Sequence, residues 1–327
     1  MSFTVSQESF DSLTSYWTES SHRLKWGSIF VLPPWLEVWW REFQPETELY
    51  LSAVRQDTEI IGIAPLQRKE KKAFFIGSPD VCDYFDFIVA SGKESDFFNV
   101  LLDDMGRQGI SHLDLGPLRP DSTVLTHLAD VARNRRYAVV CNDEEVSLEL
   151  DLPPTWDEYL AALSKKQRHE VRRKLRRLSA TGNVDFRCFE VSPPEVGDFM
   201  DTWLKLFRLG REEKAGFMTA RMASFFRSLA EAMAGVGLLR FGILELDTLP
   251  VAMVMGFDYN DTMYLYNSAY DPDYSYLSVG LLSKILSIRE SISRGMKKWD
   301  FLKGGEPYKY HIGGREIPLS GCQITIT

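Results

Sequence analysis

The chain contains an internal repeat, in which two segments 190 positions apart share one pattern of strands and turns. Ala53–Gln67 (AVRQDTEIIGIAPLQ) and Ile243–Phe257 (ILELDTLPVAMVMGF) both place apolar-rich strands on either side of an Asp-Thr turn. This pattern is typical of a β-hairpin. In each half a further strand, a helix and a last strand follow in the same order. The repeat therefore predicts two related lobes.

The elements that follow each hairpin predict the architecture of a lobe. Helices are expected over Glu94–Arg107 and Val279–Arg294, and a glycine suited to a helix C-terminus follows each of them closely. The strand after each helix carries one acid, Asp114 or Asp300. A strand, helix and strand in this order form a β-α-β unit with parallel strands. The predicted fold class is α/β (α+β), with tandem lobes that each hold a mixed twisted sheet and flanking helices.

The boundary between the lobes is expected near residues 145–155, where Leu152-Pro153-Pro154 interrupts the pattern. The N-terminal lobe then covers residues 1–150 and the C-terminal lobe residues 151–327. A long basic helix is predicted over residues 156–178 at the start of the second lobe. Whether the chain acts as a monomer or a homodimer stays open, because an internal repeat can take the place of a dimer.

Charge is distributed unevenly along the 327 residues. Residues 164–178 include eight Lys or Arg and one Glu, a local charge of +7, which leaves −15 for the rest of a chain whose net charge is −8. An acidic protein is not expected to bind DNA non-specifically. A basic island within it instead indicates a local anionic ligand.

Cysteine and histidine usage argues against disulfides and metal sites. The four cysteines are far apart and form no CxxC pair, so we expect reduced thiols in a cytoplasmic protein. The histidines lack the spacing of metal ligands, and no metal is expected. No basic segment followed by an apolar run marks a secretory signal, and no apolar stretch reaches membrane-spanning length. The residues concerned are Cys82, Cys141, Cys188, Cys322, His22, His112, His127, His169 and His311.

Four stretches together resemble the CelD-like (BioF-like) branch of the GNAT acetyltransferase superfamily, a relative of the FemABX aminoacyl transferases. They run through most of the chain in the order and spacing of that family. They are Phe30–Trp39 (FVLPPWLEVW), Ser164–Leu178 (SKKQRHEVRRKLRRL), Tyr270–Leu282 (YDPDYSYLSVGLL) and Asp300–Tyr310 (DFLKGGEPYKY).

The resemblance implies tandem GNAT lobes that transfer an acyl group from acyl-CoA to an amine, without a metal. The amine is expected on a sugar, an amino acid or a precursor of the cell envelope or of exopolysaccharide. One alternative is a FemABX-like transferase that uses charged tRNA, although the paired-helix insertion of those proteins has no counterpart here. Another is a non-catalytic scaffold or binding subunit in polysaccharide synthesis.

The donor site is predicted at the start of the second-lobe helix, because the pyrophosphate of CoA is favoured at a helix N-terminus. There Ser278 is expected to cap the helix or to bind phosphate, and Gly280 to allow close approach. The alternative is an ordinary helix start. The matching turn in the first lobe, Gly92–Asp96, carries acids that repel pyrophosphate, so one donor site is predicted. The predicted donor-binding residues are Tyr266, Asn267, Ser278, Val279, Gly280 and Leu281.

Three residues of the last motif are candidates for catalysis. Asp300 is a candidate general base. The alternative is a structural acid, because Asp114 occupies the matching position in the lobe that is not expected to bind the donor. Tyr308 is a candidate acid that reprotonates the CoA thiolate, or a core tyrosine. Lys309 is a candidate for polarising a carbonyl or holding an anionic acceptor, or a surface lysine.

The acceptor site is the least defined part of the prediction. Arg168 and Arg172 lie one helical turn apart on the basic helix and are candidates for binding a phosphate group, or for pairing within the protein. Tyr84 and Tyr270, together with Lys309, are candidates for lining the acceptor pocket. Core packing is the alternative for Tyr270.

Overall fold

The structure is a computed structural model that describes residues 2–19, 23–210 and 216–326. The chain forms two compact units. Unit 1 comprises Met1–Val146 with Ile317–Thr327, and unit 2 comprises Ser147–Glu316. The last residues of the chain, 317–327, therefore lie in unit 1 and not in the second lobe, where the sequence analysis places them.

Unit 1 consists of an N-terminal pair of helices, a mixed sheet and a helix that crosses between two of its strands. Its elements are β1 (Phe3–Gln7), α1 (Phe10–Thr18), β2 (Leu24–Lys25), α2 (Pro33–Phe43), β3 (Glu48–Gln56), β4 (Glu59–Lys69), β5 (Lys72–Phe75), β6 (Ile88–Ala90), α3 (Glu94–Arg107), β7 (His112–Leu118), a π-helical turn (Val124–Leu128), α4 (Ala129–Asn134) and the larger part of β8 (Ala138–Asp151).

Unit 2 begins within β8, and its last residues begin β14, which continues into unit 1. Its elements are α5 (Trp156–Ala162), α6 (Lys165–Ser179), β9 (Val184–Glu190), α7 (Val196–Arg208), α8 (Ala220–Gly235), β10 (Leu239–Leu246), β11 (Leu249–Tyr259), β12 (Thr262–Tyr270), a short 3₁₀ turn (Pro272–Leu277), α9 (Val279–Ser293), β13 (Lys298–Lys303), α10 (Pro307–His311) and the start of β14 (Arg315–Thr325).

The predicted repeat is confirmed by the strand pairing of the two units. In unit 1, β1–β3, β3–β4 and β4–β5 pair antiparallel and β5–β7 pair parallel. In unit 2, β9–β10, β10–β11 and β11–β12 pair antiparallel and β12–β13 pair parallel. Even the register shifts correspond, since they follow Val54 and Leu244 in the two hairpins. Both units are therefore related lobes of mixed α/β structure.

Aromatic side chains fill the core of each unit. In unit 1 the ring of Phe97 on α3 packs over Gly62 of β4, where a Cβ atom would lie 2.3 Å from the ring. In unit 2 the fully buried Trp203 of α7 stacks on Phe226 of α8, with 5.2 Å between ring centroids. These contacts fix the crossing helices against the sheets. No helix of the described residues is long and apolar enough to cross a membrane.

The basic helix predicted over residues 156–178 is wrong as a single element. Leu163 is extended, with φ −68° and ψ 149°, and it separates α5 from α6. Ser164 then starts α6 with a capping box, in which its hydroxyl accepts the Gln167 N–H and the Gln167 side chain accepts the Ser164 N–H. Such a box satisfies amides that a continuous helix would have used internally.

The expectation of four reduced cysteines is also wrong. Cys141 of β8 and Cys322 of β14 form a disulfide within unit 1, with their Cα atoms 4.1 Å apart. The sequence analysis missed this pair because its members are separated by 181 positions. Cys82 and Cys188 keep their thiols.

Candidate functional site

The start of α9 presents backbone N–H groups suited to an anion. Ser278 adopts a left-handed conformation, with φ 61°, and its carbonyl accepts the N–H groups of Leu281 and Leu282. Among the described residues, the N–H groups of Val279 and Gly280 have no backbone acceptor. Unsatisfied amides and the helix dipole together favour an anion at this end of a helix. The predicted capping role of Ser278 is wrong, because its side chain makes no capping bond.

Two lysines converge on this helix start. The Lys174 Nζ atom donates to the Ser278 Oγ atom at 2.7 Å, and the Lys284 Nζ atom donates to the Gly280 carbonyl at 2.7 Å. Lys284 is buried, with 7% of its surface exposed. Cations near a helix N-terminus are opposed by the helix dipole. An anion bound between the amides and these ammonium groups would compensate the positive end of the helix dipole and the charges of the two lysines.

The sequence analysis missed both lysines. Lys284 lies four residues after Gly280 and so on the same face of α9, which is a signal that the sequence contains. Lys174 belongs to the basic helix, about a hundred positions from Ser278, and nothing in the sequence pairs the two. Only the packing of α6 beside the 3₁₀ turn brings them together.

Gly280 is needed for packing against Tyr270. A Cβ atom at Gly280 would lie 2.7 Å from the Cδ1 atom of the Tyr270 ring. This contact explains why a glycine is needed at position 280, which the sequence analysis did not consider. It also places Tyr270 beside the first turn of α9. Tyr270 is half-buried at the end of β12.

The other predicted donor residues lie in and after β12. The Tyr266 ring packs between Phe226 and Phe257, each with its centroid 5.4 Å away. Asn267 follows it on the strand, and its Oδ1 atom accepts the Ser268 N–H at 2.7 Å. The structure thus gives Tyr266 core contacts, and a donor-binding role for either residue stays a prediction.

Tyr308, the candidate acid, is held beside the donor helix. The Lys284 Nζ atom lies 5.1 Å from the centroid of the Tyr308 ring, within cation–π range. Burial, with a smaller contribution from Glu306, raises the pKa of the Tyr308 phenol above its usual value. A phenol is protonated at neutral pH, as a proton donor must be, and the raised pKa makes this one a weaker acid than a free tyrosine.

Asp300 and Lys309, the other candidates, are both buried and engaged with backbone groups. The Asp300 Oδ1 atom accepts the Leu302 N–H at 2.7 Å, across a register shift in β13. The Lys309 Nζ atom donates to the carbonyls of Leu302, Lys303 and Gly304 at 3.1, 2.7 and 2.9 Å. These contacts stabilise the turn after β13. The structure therefore does not place Lys309 on the surface.

The part of the chain that contains this site matches a known family. The family model described as an acetyltransferase (GNAT) domain matches residues 165–310, which contain the start of α9, Tyr308 and Lys309. Residues 165–310 are similar to a GNAT acetyltransferase domain. The resemblance is therefore confirmed at the level of the GNAT superfamily. No curated protein matches the chain.

Solved structures share the fold of the whole chain and not only that of the GNAT domain. A crystal structure of FemX is 12% identical, covers 98% of this chain and 96% of its own, and has a TM-score of 0.63. A protein of unknown function from Bacteroides thetaiotaomicron is 13% identical, covers 99% and 100%, and has a TM-score of 0.62. The DUF2156 domain of a putative lysylphosphatidylglycerol synthetase from Agrobacterium fabrum is 12% identical, covers 81% and 80%, and has a TM-score of 0.55. At these identities the likeness shows the fold alone.

The predicted acceptor residues are divided between the two units. In the GNAT domain, the Arg168 Nη1 atom donates to the carbonyls of Leu160 and Ala161 at the end of α5, at 3.5 and 3.2 Å, whereas Arg172 is exposed on α6. Tyr84 lies in unit 1, where the Arg119 guanidinium stacks over its ring at 5.1 Å. Arg168 therefore contacts protein carbonyls, and Arg172 is the member of the pair that is open to a ligand.

The described residues contain no group of three or more His, Cys, Asp or Glu side chains that could hold a metal ion. His22, one of the histidines considered above, lies outside the described residues.

Proposed function

We propose that the chain is an N-acyltransferase, which binds acyl-CoA at the start of α9 and transfers the acyl group to an amine. The observation that carries the proposal is the N-terminal turn of α9, where two amides without backbone acceptors in the described part of the chain lie beside the ammonium groups of Lys174 and Lys284. A pyrophosphate is an anion of the kind that this arrangement favours. Acetyl is the expected acyl group.

The residues near α9 suit the chemistry of this transfer. The amine nitrogen forms a bond to the thioester carbonyl carbon, and the carbon–sulfur bond breaks to leave a thiolate. Tyr308, whose phenol is protonated at neutral pH, gives its proton to that thiolate. The attacking amine loses a proton in exchange, which restores the phenol directly or through water. Positioning and proton transfer suffice for such a reaction, and no covalent intermediate is needed.

The acceptor is proposed to be an amine on a sugar, an amino acid or a precursor of the cell envelope or exopolysaccharide. The support comes from the resemblance and from the GNAT domain rather than from a defined acceptor pocket in unit 2. Asp300 and Lys309 enter this proposal as residues that hold the turn after β13, which carries Tyr308 on α10.

Replacing Lys284 with Met is expected to weaken acetyl-CoA binding at least tenfold, which corresponds to about 1.4 kcal/mol. Methionine preserves the buried side-chain volume but removes the charge that faces the bound anion. Calorimetric titration of the whole chain measures the affinity and the number of sites, expected to be one. Lys297→Met, at an exposed lysine of the same unit, is the control and is expected to change the affinity less than twofold.

Two outcomes would contradict the proposed donor site. One is the absence of acetyl-CoA binding by the wild-type protein, and the other is equal affinity of the Lys284→Met and wild-type proteins. Release of free CoA with an added amine then tests the transfer itself.

A second candidate function is transfer from a charged tRNA, favoured by the exposed arginines of α6. Arg172, Arg173 and Arg176 are all exposed, although Arg173 also pairs with Glu170 at 2.6 Å. Phosphate contacts make nucleic-acid affinity fall steeply with salt. Charged tRNA that binds tightly at physiological salt, and loses affinity in an Arg172→Ala/Arg176→Ala variant, would favour this function over the first. We expect acetyl-CoA to bind instead.

A further inference from the structure

Unit 1 contains a cavity of its own, about 310 Å³ in volume. This size lies at the lower end of the range for small-molecule sites, which is about 300–1,000 Å³. The walls come from the segments before α2, around β6 and after β7, and from the π-helical turn Val124–Leu128. Single π-helical turns occur frequently at functional sites. The lining includes Ser28, Ser122, Thr123 and Thr126. The hydroxyls of Thr123 and Thr126 donate to the Asp86 carboxylate and the Ser122 carbonyl, and their oxygens can still accept.

Asp86 provides a carboxylate in this cavity with capacity for a further hydrogen bond. Its Oδ1 atom accepts the Phe87 N–H at 2.8 Å, the Thr123 N–H at 2.9 Å and the Thr123 hydroxyl at 2.5 Å. Its Oδ2 atom accepts only the shared Thr123 N–H, at 3.0 Å, among the described residues. A carboxylate oxygen has two lone-pair sites, so Oδ2 can accept another donor. Burial raises the pKa of Asp86 to about 6 despite the bonds to Thr123 and Phe87.

The charges around Asp86 favour a cationic group in the cavity. Arg119 pairs with Asp121 at 3.2 Å and stacks on Tyr84, so its charge is partly balanced within the protein. Glu94, half-buried on α3, adds a second lining carboxylate. The remaining basic groups of the lining are Lys25, which is exposed, and His127, which is half-buried.

We propose that this cavity binds a small polyhydroxylated amine, such as an amino sugar, whose ammonium group donates to the Asp86 Oδ2 atom. The serine and threonine hydroxyls of the walls supply partners for the hydroxyl groups of the ligand. An ammonium group at Asp86 supplies the donor that Oδ2 lacks and stabilises the ionised carboxylate. The site lies wholly in unit 1, and its occupation does not depend on donor binding at α9.

Calorimetric titration of the full chain at pH 7, without CoA, tests this site with D-glucosamine and D-glucose. The two sugars differ only at C2, where D-glucosamine has an ammonium group and D-glucose has a hydroxyl group. The wild-type protein is expected to bind D-glucosamine at least tenfold more tightly than D-glucose, and Asp86→Asn is expected to abolish that preference. Because no donor is present, failure here leaves the acetyl-CoA titration of α9 unaffected.

A second variant tests the cavity without altering Asp86. Gly27 lines the cavity, and a Cβ atom there meets no other atom within 4 Å, so a side chain at this position occupies open space. Gly27→Phe is expected to reduce D-glucosamine affinity at least tenfold. Gly106→Phe is the matched control. Gly106 is an exposed glycine of α3, and a Cβ atom there also meets no other atom within 4 Å. Equal affinities for the two sugars, no saturable binding at millimolar D-glucosamine, or unchanged binding in Asp86→Asn or Gly27→Phe would overturn the proposal.

Discussion

Replacing Lys309 with Met is expected to destabilise the protein by about 1–3 kcal/mol, the usual cost of leaving buried hydrogen-bonding groups without a partner. Lys309 is 2% exposed and donates to three consecutive carbonyls, two in the last residues of β13 and one directly after it. It also pairs with the exposed Glu306 at 2.9 Å. Methionine fills a similar volume but leaves these carbonyls without their donor. The turn itself contains two positive φ angles, 61° at Leu302 and 102° at Gly304, so it depends on such bonds.

Urea unfolding of the Lys309→Met and wild-type proteins measures this effect. Lys297→Met is again the control, and at an exposed position it is expected to change the free energy of unfolding by about 0.5 kcal/mol or less. A Lys309→Met protein with wild-type stability but greatly reduced turnover would contradict the expectation. It would instead support the catalytic role that the sequence analysis assigns to this lysine.

Replacing Asp86 with Asn is expected to stabilise the protein at pH 7, by up to about 3 kcal/mol. The pKa of Asp86 rises from 3.8 to about 6 because the carboxyl group is buried. Each pKa unit corresponds to about 1.4 kcal/mol between the two protonation states. Between these two pKa values the folded state binds more protons than the unfolded state, so this group lowers the free energy of unfolding as pH rises from about 4 to about 6.

The pH dependence distinguishes this effect from a change in packing. The stability gained by Asp86→Asn is expected to be present above pH 6 and to disappear below pH 4, where Asp86 is protonated in both states. Asp114→Asn, at a half-buried aspartate paired with Lys72 at 2.5 Å, is not expected to show this profile. A stability difference for Asp86→Asn that is constant from pH 4 to pH 7 would contradict the expectation.

The two expectations for Asp86 are linked. Asp86 is expected to lower the stability of the ligand-free protein and to provide a hydrogen-bond acceptor in the cavity. Proteins commonly lose stability at residues that they need for binding. A ligand that binds only the folded state stabilises it in proportion to the logarithm of its concentration over its dissociation constant. D-glucosamine is therefore expected to raise the melting temperature of the wild-type protein more than that of Asp86→Asn.

Local patterns in the sequence were sufficient for several helices and hairpins and for the repeat. The helix predicted over Glu94–Arg107 has those bounds in the structure, and the helix predicted to begin at Val279 begins there. Both hairpins turn at their Asp-Thr pairs, with positive φ at Asp57 and Asp247. These features depend on neighbouring residues, because hydrophobic period, turn residues and helix-terminating glycines act over a few positions.

The helix break at Leu163 shows where a local pattern was insufficient. Apolar residues at helical spacing continue through residues 156–178 and favour one helix. They are Leu160, Leu163, Val171, Leu175 and Leu178. The Ser164–Gln167 capping box nevertheless starts a second helix. A serine followed three positions later by glutamine is a helix-start signal that the sequence contains. In addition, the Gln167 Nε2 atom donates to the Tyr310 carbonyl at 3.2 Å, a distant contact that favours the observed register.

The sequence by itself determined two related lobes, the succession of hairpin, strand, helix and strand in each, and a GNAT-like motif at the second-lobe helix. The tertiary structure decided which charges meet: Lys174 with Ser278, Lys309 with the turn after β13, and Asp86 with Thr123 at the cavity of unit 1. It also joined Cys141 to Cys322. The physical reason is range, since periodicity and capping are encoded by adjacent residues, whereas burial and charge pairing depend on side chains brought together from distant parts of the chain.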